Sequence, residues 1–239
     1  MYHALAEEKN IEITHIILED KIPASQLLKR RIKTLGPITV IGQIAFMLFS
    51  KLLTKTSTTR IKTLLQQYQL NTTAFPESIT IKVKNVNAPE VIALLKKTQV
   101  DAVVVNGTRI IKKEVLECID TTFINTHMGI TPKYRGVHGG YWAIANNDHA
   151  HCGVTIHLVD TGIDTGGVLY QDTITTNAED NFTTYPTHQI AIAIPLMKAA
   201  LRDVDNNNIT PHKGISPSSL WSHPTLYTYA KNRLLAGIK

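Results

Sequence analysis

Three polar residues near the middle of the chain, Asn125, His127 and Asp164, have the types and spacing for a step with a developing oxyanion and a proton to move. Asn125 and His127 close a β-type run that begins at Phe123. Residues two apart in a strand share a face, so an amide and an imidazole would stand side by side. A loop punctuated by Gly and Pro follows. A second apolar run, Gly153 to Val159, then ends at the turn Asp160-Thr161-Gly162-Ile163-Asp164-Thr165-Gly166-Gly167. Open α/β sheets bind ligands outside the carboxyl ends of their strands, which is where all three groups are expected. An amide NH2 can hold an oxygen as it becomes negative, an imidazole moves protons near neutral pH, and a carboxylate orients the imidazole. Each residue also has a plain structural reading: a strand-end Asn, a hydrogen-bonded loop His and an Asx-turn Asp.

The elements around these residues alternate between strand and helix. Residues 2–9 read as the end of a helix and Ile11 to Glu19 as a β-branched strand. A basic helix from Ala24 stops near Gly36, and Pro37 opens the most apolar stretch, ITVIGQIAFMLFSKLLTK. Thr59 to Gln69 reads as a helix, Ser78 to Lys84 as a half-buried strand, and Pro89 to Thr98 as a helix with Pro in its first turn. Val100 to Val105 reads as a central strand covered on both faces, and Lys112 to Cys118 as a short helix. Tyr170 to Thr175 reads as an edge strand and Thr187 to Val204 as a long helix with a kink at Pro195. The pattern predicts an α/β fold, a Rossmann-like, mostly parallel sheet with helices on both faces.

With 239 residues, 43% hydrophobic and 18% charged, the chain is built for a packed globular core, and the formal net charge of +6 suits an acidic partner. Its two cysteines, Cys118 and Cys152, fit neither a disulfide framework nor a paired-thiol metal site and suit a reducing cytoplasm. His149, His151 and His157 come without HExxH or Cys-pair spacing, so no metal is expected, and His157 reads as alternating with core residues on its strand. The apolar stretch, interrupted by Gly42, Gln43 and Lys51, reads first as a helical hairpin packed on the sheet or on a second subunit of a homodimer. An interfacial membrane helix is the sharper alternative. A nucleic-acid module ranks last, because the basic residues lack an interleaved aromatic platform.

The blocks N-x-H, PKYRG and GVTIHLVDTGIDTGG, in that order, resemble the catalytic region of the folate-dependent formyltransferases. The likeness runs from about Val100 to about Ala200. It implies formyl transfer from N10-formyltetrahydrofolate to an amine, with Asn125, His127 and Asp164 as the catalytic trio. It also implies a folate site walled by Asn106, Gly107, Thr108, Asp160 and Gly162. Arg135, His138 and Tyr141 become candidates for the acceptor pocket, Arg135 with a strong structural alternative as a pin for its loop. Members of the family normally open with a strand and a small-residue loop, whereas this chain reads as starting inside the first helix. The expected organisation is a catalytic domain over 1–205, with an apolar helical insertion over about 24–56, and a C-terminal extension over 206–239. Among small family members the PKYRGVHGGYWAI version resembles the sugar N-formyltransferases, so a nucleotide-linked amino sugar is the expected acceptor. Phosphoribosylglycinamide or another small amine is the runner-up, and an impaired, non-catalytic folate-binding protein is the reading from a different class.

Overall fold

The computed structural model describes residues 1–214 and 217–239. The chain opens with helix α1 (Tyr2–Ala6) and strand β1 (Ile16–Glu19), then runs through helices α2 (Ala24–Leu35), α3 (Pro37–Thr56) and α4 (Thr58–Gln67). Strand β2 (Thr80–Val83), helix α5 (Pro89–Thr98), strand β3 (Ala102–Val105) and helix α6 (Lys113–Leu116) lead to the strand of the motif, β4 (Thr122–His127). Then come β5 (Arg135–Gly136), α7 (Gly139–Ala145), β6 (Gly153–Leu158), β7 (Val168–Thr173), α8 (Tyr185–Asp205), β8 (Leu220–Trp221) and α9 (Leu226–Ala236).

The main sheet has the order β3-β4-β6-β7. β3 and β4 run parallel, whereas β4–β6 and β6–β7 are antiparallel. β1 and β2 form a separate parallel pair, and β5 pairs in parallel with β8. The α/β reading therefore holds, with a mixed rather than parallel main sheet. The strand at Ala102–Val105 differs from its expectation: it pairs on one side only, and three of its four residues are half-buried.

Three apolar clusters hold the layers together. Ile124, Val154 and Ile156 pack on Ala193, Met197 and Ala200 of α8. α8 runs from Tyr185 to Asp205 as one helix with Pro195 inside it. Tyr134, Tyr141, Phe182, Tyr185 and Tyr229 gather around Phe46 of α3. Val83, Val91, Val105 and Phe123 join the β1–β2 pair to the main sheet. Arg109, just past β3, reinforces that junction: its side chain pairs with the Glu19 carboxylate and donates to the Asp20 carbonyl at 2.9 Å.

Candidate functional site

The register of the main sheet sets the site. Asn125 on β4 stands directly opposite His157 on β6, and His127 opposite Thr155. The His157 Nδ1–H donates to the Leu158 carbonyl at 2.7 Å, which leaves Nε2 as an acceptor. Asn125 Nδ2 donates to that nitrogen at 3.0 Å. The chain of donors orients the amide: one N–H is held by His157, and the second has no partner among the described residues. His157 therefore belongs to the site rather than to the core alternation read from its strand.

His127 is buried, and its Nε2–H donates to the Tyr134 carbonyl at 2.7 Å. Its Nδ1 then faces Asp164 Oδ2 at 3.3 Å. A lone pair facing a carboxylate is repulsive, so this contact is favourable when a proton lies between the two groups. Burial pushes the His127 imidazole below its ordinary pKa, and the Asp164 charge and the Tyr134 carbonyl push back. Burial raises the Asp164 carboxyl, but the charge of a protonated His127 and the Gly136 N–H hold it below the usual carboxylate range. At 3.7 Å the His157–Asp164 approach is too long for a hydrogen bond, so the 3.0 Å amide contact governs the His157 tautomer.

Asp164 sits at φ +51°, a left-handed conformation that Asp tolerates better than most residues. Two contacts fix it there. Gly136 N–H donates to Asp164 Oδ2 at 2.8 Å, and Arg135 Nη1 donates to the neighbouring Ile163 carbonyl at 3.0 Å. Gly136 has φ +94°, and a Cβ at that position would lie 2.3 Å from the Trp221 carbonyl, so only glycine fits between β8 and the Asp164 loop. The loop after β4 is pinned by Thr155, whose hydroxyl accepts from Thr131 N–H at 3.0 Å and donates to the Gly129 carbonyl at 2.7 Å.

These residues open onto a cleft of about 550 Å³ at the carboxyl ends of β3 and β4. Asn125, His127, His157 and Asp164 line it. So do Asn106, Gly107 and Thr108 on one side and Asp160 and Gly162 on the other. Asp160 closes its own turn, accepting from Gly162 N–H at 3.0 Å and from the Thr165 hydroxyl at 2.7 Å. His138 and Tyr141 line the cleft as well, whereas Arg135 does not, being turned onto the Ile163 backbone. The Tyr141 hydroxyl accepts from Asn232 Nδ2 at 3.0 Å. His138 Nε2 lies 3.0 Å from His223 Nδ1, and burial lowers both imidazoles to a pKa of about 4. Phe182, Tyr185 and Gln189 complete the wall; the sequence contains no signal for them, because they arrive from about sixty residues downstream through α8 packing. Among the described residues, no group of three or more His, Cys, Asp or Glu side chains could hold a metal.

An amide donor and an imidazole–carboxylate pair thus stand together in one cleft at the strand ends of an α/β frame. The formyl transferase family model matches residues 49–190, and the chain belongs to that family. Among curated relatives, the methionyl-tRNA formyltransferase of Thermodesulfovibrio yellowstonii is 36% identical over 110 residues, 46% of this chain and 35% of that protein. The methionyl-tRNA formyltransferase of Finegoldia magna is 41% identical over 92 residues, 38% of this chain and 29% of that protein. The chain thus spans well under half the length of the curated relatives it matches. Among solved structures, a sugar N-formyltransferase from Shewanella sp FDAARGOS_354 matches 67% of this chain and 70% of its own, with a TM-score of 0.50 and 22% identity. The formyltransferase PseJ from Anoxybacillus kamchatkensis, solved with UDP-4,6-dideoxy-4-formamido-L-AltNAc and tetrahydrofolate, matches 59% of this chain and 73% of its own at the same TM-score and identity. These two likenesses establish the shared fold.

Proposed function

We propose that this chain transfers a formyl group from N10-formyltetrahydrofolate to a primary amine, and that the amine is carried by a nucleotide-linked amino sugar. The observation that carries the transfer is the arrangement of Asn125, His127, His157 and Asp164 at one edge of one cleft. The folate site is supported by Asn106, Gly107, Thr108, Asp160 and Gly162, which line the same cleft as Asn125.

The folate supplies an activated formyl group. The chain supplies the rest. As the amine nitrogen bonds to the formyl carbon, negative charge grows on the formyl oxygen; the Asn125 N–H not held by His157 donates to it, and the positive charge of a protonated His127 ring opposes it through space. Asp164 holds the ring proton at Nδ1 and is placed to take the one the amine loses. The bond from the formyl carbon to N10 breaks, N10 takes the proton that Asp164 received from the amine, and tetrahydrofolate and the formamide leave. Holding amine and formyl group in contact distance inside the cleft supplies much of the acceleration.

The likeness of the PKYRGVHGGYWAI block to the sugar N-formyltransferases supports a nucleotide-linked amino sugar as the acceptor. Methionyl-tRNA is the second reading, favoured by the names of the curated relatives, whose similarity lies in the segment shared here. The test is release of tetrahydrofolate from N10-formyltetrahydrofolate, with nucleotide-linked amino sugars, glycinamide ribonucleotide and methionyl-tRNA offered in parallel. Turnover with a sugar nucleotide and not with tRNA is the expected result. Turnover with tRNA alone replaces the acceptor, and folate binding without turnover on any amine overturns the transfer itself.

A further inference from the structure

Helix α3 is the one helix among the described residues that is long and apolar enough to cross a membrane, yet only Val40, Gln43 and Phe46 of its twenty residues are buried. Its buried face is fastened to the protein. Gln43 Nε2 donates to the His223 carbonyl at 2.8 Å, and Phe46 packs against Phe182 and Tyr229. These contacts hold one face of α3 against the fold and leave the other face outward.

The opposite face is the unusual one. Ile38, Ile41, Leu48 and Leu52 follow a helical spacing and are 86%, 67%, 62% and 60% exposed. An ordinary surface helix turns its apolar stripe inward; this one carries a second stripe outward. Helix α2 packs beside α3 across the single residue Gly36 and adds Leu28, Ile32 and Leu35, all more than a third exposed. Contiguous apolar surface of this kind marks an interaction site.

Charge selects the occupant. From Lys21 to Pro76 the sequence holds nine Lys and Arg residues and no Asp or Glu, while the whole chain carries only +6. The remainder of the molecule is therefore net negative by three, and the net positive charge comes from this one segment, which contains the hairpin and α4. Lys29, Arg30 and Lys33 on α2 are exposed, and Lys51 and Lys55 are exposed at the end of the outward stripe of α3. A second copy docking through this face by two-fold symmetry would set the same positive field against itself. An apolar face rimmed by basic residues matches the surface of an anionic bilayer, where leucine and isoleucine enter the acyl boundary and Lys and Arg meet the headgroups.

We propose that the α2–α3 hairpin docks this protein flat on a membrane bearing anionic phospholipid, through Leu28, Ile32, Ile41, Leu48 and Leu52. Docking leaves the catalytic cleft outside the lipid, because the cleft side of α3 is the inner face that carries Gln43 and Phe46.

Sedimentation with vesicles tests it, using the full chain. Vesicles of phosphatidylcholine mixed equally with phosphatidylglycerol should pellet the protein; vesicles of phosphatidylcholine alone should not, and added salt should weaken the effect. The Leu48→Ser/Leu52→Ser variant alters only exposed side chains. It should keep its thermal midpoint and its turnover on a soluble amine while losing vesicle affinity on the order of a hundredfold. Lys29→Glu/Arg30→Glu should lose binding to the anionic vesicles while keeping its thermal midpoint and its turnover on a soluble amine. Failure to pellet with either vesicle, or pelleting unchanged in both variants, overturns the proposal. So does a concentration-dependent dimer abolished by Leu48→Ser/Leu52→Ser, which would make a second copy the occupant. Binding of tRNA that depends on Lys29 and Arg30 but is indifferent to vesicles would assign the basic rim to nucleic acid and overturn it too.

Discussion

Asn125 and His157 are cross-strand neighbours whose side chains meet at 3.0 Å, and this contact turns an ordinary strand-end amide into an oriented donor. Asn125→Ala should therefore lower kcat by about 10²–10³-fold with little change in folate affinity, as expected for loss of one oxyanion donor. His157→Ala leaves both amide hydrogens in place and removes only their orientation. Its loss should be smaller, roughly ten- to a hundredfold, and His157→Gln, which keeps an acceptor, should recover part of it. Steady-state kinetics on the three variants checks the ranking, and equal losses for Asn125→Ala and His157→Ala would contradict it.

The His127–Asp164 pair makes a second, separable prediction. The Asp164 carboxylate favours the charged imidazole, so Asp164→Asn should lower the His127 pKa beyond the depression that burial already imposes. A rate that needs the imidazolium then decays at lower pH. The alkaline limb of the kcat profile should shift toward acid in Asp164→Asn, and kcat at neutral pH should fall by on the order of 10²-fold. Titration of the His127 ring proton by NMR in the two proteins reads the shift directly; an unmoved resonance would remove Asp164 from this role.

Much of this site was legible in the sequence, for a physical reason. The period of a strand places Asn125 and His127 on one face, and turn chemistry places Asp164 after the next strand, so local rules reach three of the four polar groups. His157 escaped because its role depends on the β4–β6 register, a non-local pairing that periodicity along one strand does not encode. Phe182, Tyr185 and Gln189 escaped similarly, since α8 packing brings them to the cleft. The apolar stretch at Pro37–Thr56 was read as packed on the sheet or on a second subunit. The structure buries one face and exposes an apolar one, a distinction that overall hydrophobicity cannot make for a helix apolar all round.

Buried neutral histidines make stability depend on pH. His138 and His223 titrate at about 4 in the folded protein, against about 6.5 for an exposed imidazole in the unfolded chain. Between those values the unfolded state binds more protons, so stability is fully present above about pH 6.5 and is lost as pH falls toward 4. His127, also lowered, contributes in the same direction. The urea midpoint should drop between pH 7 and pH 5, and His138→Phe/His223→Phe should flatten that slope. A midpoint independent of pH over this range in the unmodified protein would contradict the burial of both rings.

A buried ion pair ties the wall of the cleft to the helices that carry the basic face. Arg60 on α4 donates from Nε to Asp180 Oδ1 at 2.9 Å and from Nη2 to Oδ2 at 3.2 Å, and the Asp180 side chain is fully buried. His188 Nε2 stands 3.2 Å from the same carboxylate, off the line of a good hydrogen bond, while its Nδ1 meets the Tyr68 hydroxyl at 2.8 Å. Burial raises the Asp180 carboxyl, but Arg60, the Asn177 N–H and His188 outweigh it and hold its pKa at about 2. The depressed value means that this contribution to stability is present above the unfolded carboxylate pKa of about 3.9 and fades as pH falls toward 2. Asp180→Ala leaves Arg60 only the exposed Glu179 carboxylate at 3.2 Å and should cost up to about 3–5 kcal/mol at neutral pH, whereas Arg60→Met/Asp180→Leu, which removes the buried pair whole, should cost much less. Urea unfolding of the two variants measures the difference. Phe182 and Tyr185 follow Asp180 by two and five residues and line the cleft, so Asp180→Ala should also raise KM for the amine more than it lowers kcat. A variant destabilised without that KM change would confine the pair to holding the fold.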